Sequence, residues 1–182
     1  MQNAFIIQKQ LPPARYAFHP WATHLPVLCR VLDRLQPKKI LELGAGDFST
    51  VILNAYVTGN EERSLLTLEN NPDWLSQLVW MGNKQHTLRQ VKNWTTPEPE
   101  AFDLVLVDQA PEEDRKLSLQ QYAETARVVI VHDAHHHDRY RSLFALYAHG
   151  VHDRRFDMGT SVLSNYFDVA RWFPEEKETS CL

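Results

Sequence analysis

The stretch ILELGAGDFST, residues 40–50, decides how this chain is read. Ile40, Leu41 and Leu43 belong to an apolar run that stops at Gly44, as a buried strand does on entering a tight turn. Gly44-Ala45-Gly46 contributes little side-chain bulk, and Ser49 is the expected N-cap of a helix carrying Val51, Ile52, Ala55 and Tyr56. Strand, glycine turn and helix start, in that order, leave backbone N–H groups facing a ligand. A glycine turn alone is a common structural device, so its meaning depends on what surrounds it.

Toward the N-terminus, Leu25, Leu28, Leu32 and Leu35 recur at helical spacing and predict a helix before this first strand. Toward the C-terminus, residues 64–68 read as a second strand, and Asn71-Pro72 opens a helix with Trp74, Leu75, Leu78 and Val79. A third strand falls within residues 85–91, and residues 93–100, with Pro97 and Pro99, form a surface connection. The apolar run 102–107 is the fourth strand, a polar helix is expected over 112–125, and 128–131 is the fifth strand. A helix over 138–149 should stop at Gly150, and strands at 153–157 and 160–164 should form a hairpin across Met158-Gly159. This alternation predicts an α/β three-layer sandwich whose mostly parallel seven-stranded sheet ends in an antiparallel C-terminal hairpin strand. Ligands of such sheets lie beyond the carboxyl ends of the strands, so the loops after residues 43, 68, 107 and 132 should line the site.

The 182 residues fit one domain, with a helical lead-in over 1–37, a core over 38–165 and a tail over 166–182. An apolar share of 43% and a charged share of 23% are those of a packed globular chain. The formal charge of -4 counts against a general nucleic-acid binder. Lys9, Arg15, Arg30, Arg34, Lys38 and Lys39 outnumber Asp33 in the first forty-one residues, and the simplest reading is a solvated helix surface. No run has the roughly 18–20 apolar residues of a membrane span. The opening MQNAFIIQKQLPP is too polar for a secretory signal, so a cytoplasmic setting without a membrane partner is expected. Cys29 and Cys181 are too far apart in sequence to suggest a disulfide framework or a cysteine zinc site.

Glu69 ends the second strand, one βαβ length beyond Gly46, where a carboxylate can accept hydrogen bonds from both hydroxyls of a ribose. Joined to the glycine turn it points to a nucleoside ligand. Asp108 and Asp133 end the fourth and fifth strands, where two carboxylates could position an acceptor, act as general base, hold a metal or merely cap loops. The run His132-Asp133-Ala134-His135-His136-His137-Asp138 offers further bases or ligands, with His135 and His136 the candidate general bases. His19, Trp21 and His24 precede the first helix and could cover the site, Trp21 reading as a hydrophobic anchor.

The segments ILELGAGDFST, LLTLENN, FDLVLVDQAP and VVIVHDA, in this order, resemble the class I S-adenosylmethionine (SAM)-dependent methyltransferases over residues 38–165. That resemblance implies a Rossmann-like sheet of order 3-2-1-4-5-7-6 and SAM as cofactor. It places Glu42 and the Gly44, Ala45 and Gly46 backbone near the methionine part and Glu69 on the ribose, and Ser49 and Asn70 are counted with them as cofactor-binding residues. Asn93 falls near the adenine-contacting position, and Asp108 matches the fourth motif. Asp108, Asp133, His135 and His136 are then the catalytic candidates, for O-methylation of a small-molecule acceptor.

Several departures narrow the reading. Catechol-type O-methyltransferases carry an Asp-Asn pair after the fifth strand, but Ala134 stands at the Asn position, which counts against their magnesium site. No residue is therefore assigned to a metal, although a divalent ion stays possible. DQAP is not the D/N-P-P-Y/F signature of amino-group methyltransferases, and no cysteine follows the fourth strand for 5-methylcytosine chemistry. An NAD-binding domain would need glycine where Ser49 stands. That alternative, and a nucleoside-binding module without turnover, remain open.

Overall fold

A computed structural model describes residues 20–134, 137–155 and 158–174. After a short 3-10 turn at Pro20–Ala22, helix α1 spans Leu25–Leu35, and strand β1 is Lys39–Leu43. Then come α2 (Ser49–Val57), β2 (Ser64–Glu69), α3 (Pro72–Leu78), β3 (His86–Gln90) and β4 (Phe102–Val107). The chain continues through α4 (Arg115–Tyr122), β5 (Ala126–His132), α5 (His137–Phe144), β6 (His149–Asp153) and β7 (Thr160–Ser164). The sheet has seven strands in the order β3-β2-β1-β4-β5-β7-β6, the order implied by the resemblance. β3, β2, β1, β4 and β5 are parallel, and β7 pairs antiparallel with both β5 and β6.

The strands β4 and β5 are almost wholly apolar because helices cover both faces of the sheet. The period of two divides their side chains cleanly. Ile40, Leu104, Leu106, Val128 and Ile130 pack with Leu28, Leu32, Ile52 and Leu53 of α1 and α2. Leu41, Leu43, Val105, Val107, Val129 and Val131 face the other way, onto Leu119 and Tyr122 of α4 and Tyr140 and Phe144 of α5. Each fully buried Leu or Val contributes roughly 1.5–3 kcal/mol, and together they fix the strand ends from which the site is built.

Four local expectations are corrected. Ser49 is the first residue of α2, not its cap; Phe48 holds the cap position without a side-chain hydrogen bond. Ser49 is buried, and its hydroxyl bears on the Glu42 carboxyl. The helix expected to run to Gly150 ends at Phe144, and Gly150 lies within β6, paired with Leu163. Tyr147 ends that turn by donating its hydroxyl to Leu119 O at 2.7 Å, which anchors the chain for the reversal into the edge strand. β6 accordingly begins at His149, earlier than expected, and Asp153 opposite Thr160 leaves a longer loop than a Met158-Gly159 hairpin. Trp21 is 65% exposed and anchors no core. Among the described residues no helix is long and apolar enough to cross a membrane.

Candidate active site

The carboxyl ends of β1, β2, β4 and β5 open onto one mouth. At its first half, the Gly44 N–H donates to Leu68 O at 2.9 Å, and Gly44 adopts φ +90°. A Cβ there would lie 2.6 Å from Asp108 O and 2.7 Å from the Gln109 Cα, so the chain itself requires this glycine. Gly46 differs: the nearest atom to a Cβ would be Ser49 Oγ, at 3.5 Å. The protein leaves room at Gly46 for something to approach.

Glu69 ties the glycine turn to the end of β2. Its Oε2 accepts from the Ala45 N–H at 2.9 Å and its Oε1 from the Asn71 N–H at 2.7 Å. A carboxylate has about four lone-pair directions, so each oxygen keeps capacity for a ligand hydroxyl. The Trp74 indole donates to Ala45 O at 2.7 Å, and the Gly46 N–H donates to Thr50 Oγ1 at 2.8 Å. Asn71 caps α3 as expected, accepting from the Asp73 and Trp74 N–H groups.

Beneath the turn, Glu42 is completely buried. Its Oε2 accepts from the hydroxyls of Thr50 at 2.9 Å and Thr67 at 2.8 Å, while Oε1 has no hydrogen-bond partner among the described residues. Burial pushes its carboxyl up to about 7, against the pull of the Ser49, Thr67 and Thr50 hydroxyls. Asn70 donates to Ala110 O at 2.9 Å, a carbonyl that also accepts from the Trp94 indole. Asn93 is exposed, and its carbonyl oxygen accepts from the Thr95 N–H and hydroxyl, closing a local turn.

The second half of the mouth is built from residues distant in sequence. Asp108 leaves β4 with its N–H donated to Leu43 O at 2.9 Å. His132, the last residue of β5, brings Nδ1 to 3.2 Å from Asp108 Oδ2 and Nε2 to 3.0 Å from Thr23 Oγ1. His24, just before α1, is 1% exposed, sets its ring centroid 4.3 Å from that of His132 at a tilt of 54°, and has no hydrogen-bond partner for either ring nitrogen among the described residues. Burial, then the neighbouring His132, lowers the His24 pKa to about 3, so this imidazole is neutral near pH 7.

Arg115, at the start of α4, clamps the two strand ends together. Its guanidinium donates to Gln109 O, to His132 O and to Asp133 Oδ2 at 3.0 Å, and lies 3.1 Å from Asp108 Oδ1. Burial opposes ionisation of Asp108, but His132, with His24 and Arg115, outweighs it and holds the carboxyl below the ordinary range. Asp133, at φ +54°, gives one oxygen to Arg115, while its buried Oδ1 lies 3.5 Å from His132 Nε2 and has no hydrogen-bond partner among the described residues.

The structure thus gathers Glu42, Gly44, Ala45, Gly46, Ser49 and Glu69 at one half of the mouth and Asp108 and Asp133 at the other. His135 and His136 lie outside the described residues. Arg115 was missed because it sits in a stretch rich in charge that reads as a solvated helix, yet it is only 6% exposed. The burial of His24 and His132 was equally hidden, since their partners are more than a hundred residues apart. Thr50 and Thr67 had a faint signal: both lie where a buried Glu42 would need donors.

No family model matches the sequence, and no curated protein matches it either. The fold is that of the class I SAM-dependent methyltransferases. The O-methyltransferase TomG from Streptomyces achromogenes, solved in complex with SAM, superposes with a TM-score of 0.58 at 19% identity, over 90% of this chain and 88% of that one. Cofactor-bound Rv0187 from MTB gives 0.60 at 18% identity, over 91% and 89%. The N-methyltransferase NodS from Bradyrhizobium japonicum WM9, in complex with S-adenosylhomocysteine (SAH), gives 0.52 at 11%, over 90% and 97%.

Proposed function

We propose that this chain is a SAM-dependent methyltransferase acting on a small-molecule acceptor, with oxygen as the atom methylated. The observation that carries the reading is Glu69, a buried carboxylate held by the Ala45 and Asn71 N–H groups beside the open space at Gly46. A nucleoside fits there: its ribose hydroxyls take the spare lone pairs of Glu69, and its approach over Gly46 meets no side chain. Glu42 adds a second point of fit, since its unpartnered Oε1 is an acceptor awaiting a donor such as an ammonium. A neighbour solved with SAM and another with SAH, on the same fold, support this choice of nucleoside.

When bound, SAM supplies an electrophilic sulfonium methyl group. Glu69 holds the ribose, the Gly44–Gly46 backbone and Glu42 take the methionine part, and Asn70 borders the ribose through its link to Ala110 O. Asp108 faces the mouth with a fifth of its side chain exposed, and its contact with His132 orients it toward an acceptor hydroxyl and its proton. Asp133 acts at one remove, by fixing Arg115, and is a positioning residue in this scheme. Alignment of the acceptor and exclusion of water then carry much of the rate. The net charge of -4 suits a small acceptor better than a nucleic acid.

The test is transfer of labelled methyl from SAM across a panel of phenolic and aliphatic hydroxyl compounds. Once an acceptor is found, Asp108→Asn should lower turnover at least about tenfold while SAH affinity is nearly retained. Full turnover in a folded Asp108→Asn protein would remove Asp108 from the chemistry. Clear NAD binding with none of SAM or SAH would overturn the cofactor assignment.

A further inference from the structure

We infer that His24, Asp108 and His132 form a binding site for a first-row divalent transition-metal ion of the zinc type. One ligand atom from each residue can be chosen so that all lie within 4.8 Å of one another. Atoms bound to one zinc at roughly 2.0–2.2 Å are separated by about 3–4 Å, so modest side-chain rotation closes the set. The decisive feature is His24. It is buried, it has no hydrogen-bond partner on either nitrogen among the described residues, and its ring leans on the other candidate ligand. An imidazole in that condition loses its hydration and receives nothing in exchange, unless an ion takes one nitrogen.

The surroundings of His132 point the same way. Its Nε2 faces Thr23 Oγ1 at 3.0 Å, so an Nε2–H donated to that hydroxyl leaves Nδ1 as a lone-pair donor beside Asp108 Oδ2. Metal-bound histidines are commonly held by such a hydrogen bond from the second ring nitrogen. Arg115 takes Asp108 Oδ1 and leaves Oδ2 for the ion. The carboxylates of Asp108 and Asp133 outnumber the single Arg115 guanidinium that lies between them, which favours a dication. Two imidazole nitrogens and one carboxylate select zinc, cobalt, nickel, manganese or iron over magnesium or calcium, which prefer oxygen ligands. The side chain of Asp108 is 21% exposed, so an ion held there would be reached from solvent. This site shares Asp108 with the proposed acceptor side but does not depend on SAM being the cofactor.

The test uses full-length, tag-free protein stripped with a chelator and titrated with Co²⁺, read by its d–d absorption, and with Zn²⁺ in competition with a chelating dye. SAH binding is measured in the same preparations. One tight ion per chain is expected, weakened at least about tenfold in Thr23→Val, which removes the hydrogen bond that supports His132, and more in His24→Asn. A His135→Asn/His136→Asn/His137→Asn protein should keep the tight site. Absence of tight binding in the wild type, or its loss in that triple variant with His24→Asn and Thr23→Val unaffected, would overturn the site. If the metal fails while SAH binds, only this inference falls; if SAH fails while the metal binds, only the cofactor reading falls.

Discussion

The two halves of the mouth are built on opposite principles. On the β1 and β2 side, the polar atoms of Ala45, Gly46 and Glu69 are satisfied before any ligand arrives, through contacts within about one βαβ unit. On the β4 and β5 side, His24 and Asp133 carry buried atoms without hydrogen-bond partners among the described residues, and the residues that meet come from four separate segments. The first half is a rigid cradle whose shape is set in advance. The second is a cluster with unmet demand, the mark of a surface completed by what binds there.

Gly44 is where the halves touch, and breaking that contact should have the largest effect. Gly44→Val forces a side chain into the Asp108 and Gln109 backbone at a φ of +90°. The strained backbone alone costs about 1–3 kcal/mol, before the overlap is counted, so we expect loss of the folded protein by circular dichroism. Gly46→Ala, with space at its Cβ, should melt within a few degrees of the wild type. Equal melting of the two variants would show that the halves are not coupled through Gly44.

Next comes Arg115→Ala, which leaves Asp108 and Asp133 buried without their counter-charge. Removing one partner of such a buried set costs roughly 3–5 kcal/mol, measurable by urea denaturation. A loss below about 1 kcal/mol, the range of a surface ion pair, would make the second half solvent-screened after all.

Glu42 is the exception on the ordered side, and its titration sharpens the contrast. Its folded pKa is raised, so the native state holds a proton that the unfolded chain releases. Stability conferred by this group is therefore full below about 4.5 and lost as the pH rises to about 7. The loss is on the order of 3 kcal/mol. Glu42→Gln should flatten that part of the stability profile relative to the wild type. An unchanged slope would mean that Glu42 is hydrated.

The same contrast explains what the sequence could reveal. The strand-turn-helix of residues 40–50, the capping Asn71 and the spacing to Glu69 are local patterns, and the sheet order follows once they are placed. β6 was misplaced because an edge strand with His149, Gly150 and His152 has no apolar alternation to mark it. Arg115, His24 and His132 acquire their roles only through tertiary contacts, and an arginine in a polar helix looks the same whether it is solvated or buried. The sequence assigned no metal ligand because Ala134 stands at the Asn position, and the ring that packs against His132 lies too far off in sequence to have drawn attention to that pair.

The central claim, that the β1 and β2 side binds SAM through Glu69, is tested most directly by calorimetric titration of SAH into the wild type and into Glu69→Ala. The wild type should bind, and the folded variant should bind more weakly by about 1.5–3 kcal/mol, the worth of hydrogen bonds to a charged acceptor. Equal dissociation constants for the two proteins, or no binding to the wild type, would contradict it.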